Sequence, residues 1–324
     1  MSSKLATQLN GLLLIDKPQG VTSHDVVQAA RRICGMKAVG HTGTLDPLAT
    51  GLMVLLLGEG TKISQYILSG DKGYRVKVRL GVTTDTLDMT GEIQTRKEVA
   101  FSEDEIRQAV QRFEGSLELP VPLYSAIKRE GKKLYELARE SIPVEAPLRT
   151  MYFYGVKVLR AGKDWFEAEV FCHKGGYIRS WAMAVGEELG CGASVEELRR
   201  IVSGTHRIED ALSLEKLGHL VRQAEEEGLE ALGPAYVPLK AALPLWKAVT
   251  ISGRDEQLMA NGQISHDLNR RLIVEKKEAG QRQKAVPIKI LSSQSGNLLS
   301  ILEALPEGGL KIRRIFLAPG RSSK

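Results

Sequence analysis

The chain has 324 residues, enough for one large domain and a smaller one, and its net charge of +6 leans towards an acidic partner, most simply nucleic acid. No apolar run approaches the roughly 18 residues of a membrane-spanning helix, and no signal-type apolar core follows Lys4, so no membrane partner is expected. Three cysteines, Cys34, Cys172 and Cys191, are odd in number and lack metal-ligand spacing, which fits a reducing, cytoplasmic setting best.

Segment 11–15 is a candidate buried strand that runs into the turn Asp16-Lys17-Pro18-Gln19-Gly20. Thr22-Ser23-His24-Asp25 supplies helix-capping side chains, Val26, Val27, Ala30 and Ile33 follow at helical spacing, and Gly35 supplies the stop. Next comes Gly40-His41-Thr42-Gly43-Thr44-Leu45-Asp46-Pro47-Leu48-Ala49-Thr50-Gly51, whose three glycines, proline and three threonines read as an ordered loop. Pro47 biases Asp46 towards extended backbone, so one carboxylate sits on a stiff turn beside the apolar strand 52–57. Turn chemistry alone leaves Asp46 either a capping residue or a nucleophile, and His41 reads equally as a hydrogen-bonding loop residue. Gly58-Glu59-Gly60-Thr61-Lys62 fits neither phosphate-binding pattern, because Ile63 stands where a glycine is needed, and a nucleotide site is rejected.

The clearest strand is 74–80, with Tyr74, Val76, Val78 and Leu80 on one face and Arg75, Lys77 and Arg79 on the other. That basic stripe either tracks a phosphate backbone or is an ordinary solvated face. Tyr74, on the apolar side, is by residue type a core tyrosine. Ser102 and Glu105 form a capping box, Phe101 and Ile106 its hydrophobic staple, and Gly115 ends the helix they start. Segment 120–126 is a proline-stiffened extended stretch leading into the basic run 128–133 and a helix over 134–139. Strands are expected over 151–159 and 165–172, joined by the hairpin turn Ala161-Gly162-Lys163-Asp164. A helix then begins near Ser180, with Arg179 at its start. A cation there opposes the positive helix N-terminus and makes sense with a carboxylate partner. Ser194 and Glu197 match a second capping box and place Leu198 in the first turns of another helix. A last amphipathic helix carries Leu214, Leu217, Leu220, Val221 and Ala224.

Pro234, Pro238 and Pro244 mark a boundary, giving domains 1–245 and 246–324. From Val249 onward thirteen basic residues face seven acidic ones, so this region carries the whole excess charge. It reads as a small, basic module of short strands, with 275–284 a flexible loop, suited to an RNA backbone.

The loop around Asp46 resembles the catalytic motif of the TruB family of bacterial tRNA pseudouridine-55 synthases. Leu14-Ile15-Asp16-Lys17-Pro18-Gln19-Gly20 resembles the family's N-terminal motif, and Lys72-Gly73-Tyr74-Arg75-Val76 its tyrosine motif. Tyr124-Ser125-Ala126-Ile127-Lys128, Lys174-Gly175-Gly176-Tyr177-Ile178-Arg179-Ser180, Leu189-Gly190-Cys191-Gly192-Ala193 and Leu198-Arg199-Arg200 follow in the family's order, covering about residues 11–205. The sequence departs from the pattern at Gly176, where family members commonly have Thr, and at Trp181, where smaller aliphatics are usual.

The resemblance implies an α/β fold of the α+β type, with a mostly antiparallel catalytic sheet and a small, β-rich, PUA-like C-terminal domain. It implies conversion of uridine 55 in the tRNA T loop to pseudouridine, after base flipping and without metal or organic cofactor. Asp46 would be the nucleophile, Tyr74 would stack on the uracil, and Arg179 would pair with Asp46 and hold it ionised. His41 would hold the T loop open, Tyr177 and Leu198 would line the base pocket, and Lys17 would contact phosphate. The expected partner is tRNA alone, with no guide RNA and no membrane, bound by a monomer. The alternative is a non-catalytic RNA-binding or tRNA-folding protein on the same scaffold.

Overall fold

The computed structural model describes residues 4–125, 127–129, 132–139 and 145–316. Its main body is a large sheet that includes the apolar strands β1 (Gly11–Lys17) and β3 (Thr50–Leu57). Both are buried on both faces, which explains their continuous apolar runs where a half-exposed strand would alternate. Between them lie α1 (Ser23–Ile33), capped by a reciprocal Thr22–Asp25 box, and the short β2 (Val39–His41), which pairs with β3. The sheet continues through β4 (Lys72–Leu80), β5 (Gly115–Pro120), β6 (Leu148–Gly162), β7 (Trp165–Cys172) and β8 (Ala193–Ser203). Helix α2 (Glu103–Gln111) starts on the Ser102–Glu105 box, α3 (Ile178–Glu188) joins β7 to β8, and α4 (Leu214–Glu227) precedes the edge strand β9 (Tyr236–Pro238).

The strand order is β9-β1-β3-β8-β4-β7-β6-β5. All neighbours on this path are antiparallel except β3 and β8, which run parallel where Thr50 and Gly51 meet Arg199 and Arg200. This is a mixed α/β fold with a mostly antiparallel sheet, as expected.

One element was misjudged by its local signal. Segment 193–203 is the strand β8, not a helix, and it pairs with β4 from Ala193–Leu80 to Ser203–Lys72. Ser194 does not cap anything: its side chain is buried and lies 3.3 Å from the Thr84 hydroxyl. A full ladder with β4 outweighs the small contribution of a capping box.

The C-terminal part holds a second sheet, β10 (Lys247–Ile251), β11 (Val286–Ser292), β12 (Leu298–Ala304) and β13 (Leu310–Ile315), in that order. Three helices, α5 (Arg254–Ala260), α6 (His266–Arg271) and α7 (Ile273–Arg282), precede β11. The expected loop over 275–284 is thus mostly helix, because Leu272, Glu275 and Ala279 turn one narrow face inward while Lys277 and Arg282 stay exposed. This sheet has its own small core around Ile251, Leu268, Ile288 and Leu302. Leu298, Ile301 and Phe316 instead join the main core, and Trp246 meets Tyr66 edge-on at 4.7 Å. Among the described residues no helix is long and apolar enough to cross a membrane.

Candidate active site

The loop between β2 and β3 is held from three sides. Ser23, in the first turn of α1, donates to the Leu45 carbonyl at 2.9 Å and accepts from the Leu45 N–H at 2.8 Å. Lys17, at the end of β1, donates to the carbonyls of Ala49 at 2.6 Å, Pro18 at 3.0 Å and Pro47 at 3.4 Å. Arg200, on β8, donates to the Leu52 carbonyl at 2.6 Å and the Gly43 carbonyl at 3.4 Å. Gly51 is required at the loop exit: its φ is +98°, and a Cβ there would lie 2.3 Å from the Arg200 carbonyl oxygen. The side chain that this frame presents is Asp46.

Arg179 reaches it from the first turn of α3. Its guanidinium lies 2.9 Å from the Asp46 carboxylate and 3.8 Å from that of Asp88, and donates to the carbonyls of Thr86 at 2.8 Å and Tyr124 at 3.0 Å. The carboxylate partner expected for a cation at a helix start is present, and there are two. Arg179 is only 5% exposed, so its orientation is fixed by these four oxygens. Burial pushes the Asp46 carboxyl above its ordinary range; Arg179 opposes that, and the nearby Asp88 carboxylate adds to it. The pairing expected of Arg179 works towards the ionised form, but burial outweighs it, so the net direction is towards the protonated acid.

Asp46 and Arg179 face a cavity of about 300 Å³. Tyr74, Tyr177 and Leu198 line it as well, so five of the seven residues singled out in the sequence meet in one place. The volume sits at the small end of ligand sites, about 300–1,000 Å³. Burial raises the pKa of the Tyr74 phenol, which the adjacent Arg200 guanidinium counters, and burial likewise raises that of Tyr177. His41 does not line the cavity: it is half-buried at the end of β2, paired across from Leu55, and burial lowers its pKa.

One expectation is corrected. Lys17 has no face for a phosphate, since it is 0% exposed and its amine is spent on three loop carbonyls. Its burial also brings its pKa down to about 8. Lys17→Met should therefore act through the loop, lowering stability by about 1–3 kcal/mol as orphaned carbonyls lose their donor, measurable as a lower midpoint in thermal unfolding. Of the two readings of the basic stripe on β4, the ion pairs fit the solvated face: Arg75 pairs with Glu169 at 2.8 Å, Lys77 with Glu196 at 2.8 Å, and Arg79 with Asp164 and Glu196 at 2.8 Å each. These are cross-strand pairs on a solvated face.

Sequence reasoning assigned no role to Arg200, Lys72 or Asp88. Arg200 is 2% exposed, sits opposite Tyr74 in the β8–β4 register, and joins cavity wall to loop. The alternation of Leu198 and Arg200 would have shown it, had the segment been read as a strand. Lys72 lines the cavity with its pKa lowered to about 8 by burial. Asp88 is 4% exposed and accepts from Thr86, from the Thr90 hydroxyl at 2.5 Å and from the Thr90 N–H at 3.0 Å. The two departures from the family motif also have reasons. A Cβ on Gly176 would lie 2.7 Å from the Cβ of buried Cys172, so a threonine does not fit here. Trp181 is fully buried, donating to the Phe113 carbonyl at 2.9 Å and meeting Phe166 edge-on.

Residues 31–178 match the family model described as TruB family pseudouridylate synthase, N-terminal domain. Residues 179–244 match that of the tRNA pseudouridylate synthase B C-terminal domain. The tRNA pseudouridine synthase B of Bdellovibrio bacteriovorus is 46% identical over 310 residues, spanning 95% of this chain and 97% of that one. The chain belongs to the TruB family. A second TruB-family relative, the tRNA pseudouridine synthase B of Salmonella typhimurium, is 42% identical over 257 residues, 78% of this chain and 82% of its own. Among solved structures, a Cbf5-Nop10-Gar1 complex contains a similar chain at a TM-score of 0.67 and 25% identity, covering 95% of this chain and 84% of that one. An H/ACA RNP bound to a substrate RNA containing 2'-deoxyuridine shares the fold, at a TM-score of 0.67 and 23% identity over 98% of this chain and 88% of that one. The TruB-family model for the C-terminal domain ends at residue 244, just before β10.

Proposed function

We propose that this chain converts uridine 55 in the T loop of tRNA to pseudouridine, with Asp46 as the nucleophile. The observation that carries the reading is the Asp46–Arg179 pair at a cavity lined by Tyr74, Tyr177 and Leu198, in a chain 46% identical to a tRNA pseudouridine synthase B. The reaction must break the glycosidic bond, turn the uracil and rejoin it through C5. None of this can happen inside a stacked loop, so the base has to be extruded into the cavity. Attack by Asp46 at C1′, attack at C6, and stabilisation of a glycal all need its ionised form, which Arg179 favours. Tyr74, a neutral phenol on the cavity wall, would stack on the uracil, with Tyr177 and Leu198 closing its other sides. His41, beside the cavity, would hold the T loop open.

The chain would act without a guide RNA, as a monomer, in two parts meeting near residue 245. The parting of the hydrophobic clusters supports that boundary, although Leu298, Ile301 and Phe316 tie the smaller part to the larger. The test is the purified protein alone with unmodified tRNA carrying C5-tritiated uridine. Release of one tritium per tRNA, with the product mapped to position 55, is expected. No release by the protein and tRNA together, or release only after a guide RNA or a second protein is added, would remove the proposal.

The basic C-terminal part should contribute backbone affinity. Lys277, Lys284 and Lys311 are exposed, and replacing all three by Gln should weaken tRNA binding and flatten the plot of log affinity against log salt by about 2. An unchanged slope would show that this surface touches no phosphate.

A further inference from the structure

Beside the catalytic cavity stands an aromatic ridge for which the chemistry at Asp46 has no use. Tyr152 and Tyr154 lie on the same face of β6 by strand alternation. His173 follows the end of β7 and donates its backbone N–H to the Tyr152 carbonyl at 3.1 Å. The rings of Tyr152 and His173 stack with centroids 4.6 Å apart and planes 16° from parallel. Tyr154 leans on His173 at 5.5 Å and stacks on Phe171 at 5.6 Å. Asp71 fixes the assembly from below, holding His173 Nδ1 at 3.0 Å and accepting from the Tyr154 hydroxyl at 2.8 Å.

Despite this order, Tyr152 is 43% exposed and the His173 side chain 53% exposed. Rings held in place yet left in water bury little of their own surface, so the arrangement contributes less to folding than the same rings would in a core. Its position is informative: His173 and the adjacent Lys174 line the same cavity as Asp46 and Tyr74. Arg149, three residues before Tyr152, brings its guanidinium to 3.4 Å from the place a Cβ on Gly175 would take. Exposed ring faces flanked by cations at the mouth of a pocket are the chemistry that binds unpaired nucleic acid.

We propose that Tyr152 and His173 form a stacking platform for an unpaired nucleobase adjoining the target uridine, with Lys174 and Arg149 beside the intervening phosphates. The proposal rests on the RNA reading of the catalytic cavity. Pulling one base out of a loop deprives its neighbours of a stacking partner. A platform at the cavity mouth replaces the lost partner for one of them and so lowers the cost of extrusion. Stacking tolerates any base, so the platform adds affinity without reading sequence.

The experiment uses a T-arm stem-loop RNA with 2-aminopurine placed singly on the 5′ or the 3′ side of the target. One of the two positions should be quenched on binding the wild type and stay bright with the Tyr152→Ala/His173→Ala double variant. The same variant should raise KM about 10-fold, within the roughly 5- to 150-fold that one base–aromatic stack is worth, and lower kcat by less. The ring-preserving Tyr152→Phe/His173→Phe double variant should keep the quench and a KM within about 3-fold of wild type. An alanine double variant with wild-type KM and quench, or a ring-preserving variant as impaired as the alanine one, would overturn the platform. Absence of tritium release by the wild type would overturn the catalytic reading instead.

Discussion

Asp46→Asn should lower turnover on tRNA by about ten-thousand-fold or more while tRNA affinity stays within about 3-fold, because the amide keeps the shape of the carboxylate and loses its nucleophilicity. Tritium release under single-turnover conditions and a filter-binding titration separate the two quantities. Equal turnover in both proteins would remove Asp46 from the mechanism. The substitution has a second consequence that needs no RNA. Burial, the largest influence on Asp46, raises its carboxyl pKa in the folded state, with Arg179 only partly compensating. The folded protein therefore holds the Asp46 proton more readily than the unfolded chain does, and ionising this group in the native state works against stability. That penalty is absent at low pH and sets in as pH rises through the folded pKa. Asn cannot ionise. The melting temperature of Asp46→Asn should exceed that of the wild type at pH 8, and the gap should close as the pH is lowered into the acid range.

Arg179→Met should be the second severe change. It removes the cation that favours ionised Asp46 and leaves the buried Asp88 carboxylate and the carbonyls of Thr86 and Tyr124 without that donor. Turnover should fall by about a hundred-fold or more, and stability by about 2 kcal/mol. The direction of the pH effect is fixed. With Arg179 gone the Asp46 carboxyl rises further, so the acidic limb of kcat/KM should move to higher pH. Arg179→Lys should recover part of that shift by restoring the charge, yet little of the turnover, because an ammonium cannot span two carboxylates and two carbonyls as a planar fork does. An acidic limb that stays in place in both variants would disconnect Arg179 from the ionisation of Asp46.

The central sheet was legible because its strands obey simple rules. The continuous apolar runs of β1 and β3 signal double-sided burial, and the turn at Lys163-Asp164 announces the β6–β7 hairpin. The Ser102–Glu105 capping box formed as expected, and the capping side chains at Thr22–Asp25 close a second reciprocal box. The same local signal failed at Ser194–Glu197, where pairing with β4 across more than a hundred residues of chain decides the outcome. Asp46, Tyr74, Arg179, Tyr177 and Leu198 could be named because ordered motifs carried them. Lys17 was assigned the wrong partner, since nothing in a Lys-Pro turn says whether the amine points at solvent or under its own loop. The basic face of β4 stayed open between two readings for a related reason: Glu169 and Glu196 lie far away in sequence and only the strand register brings them opposite.

The parallel contact between β3 and β8 has a consequence for how the protein comes into being. The carbonyl of Leu52 and the guanidinium of Arg200 are 148 residues apart in sequence, yet their bond helps fix the loop that carries Asp46. Such distant closures are costly to form early in folding. A nascent chain that has not yet emerged past β8 holds the whole catalytic loop with neither the strand beside its exit nor the cavity wall that Leu198 and Arg200 provide. Lys17 and Ser23 can hold the loop before β8 is made, but the cavity around Asp46 is complete only once Leu198 and Arg200 are in place.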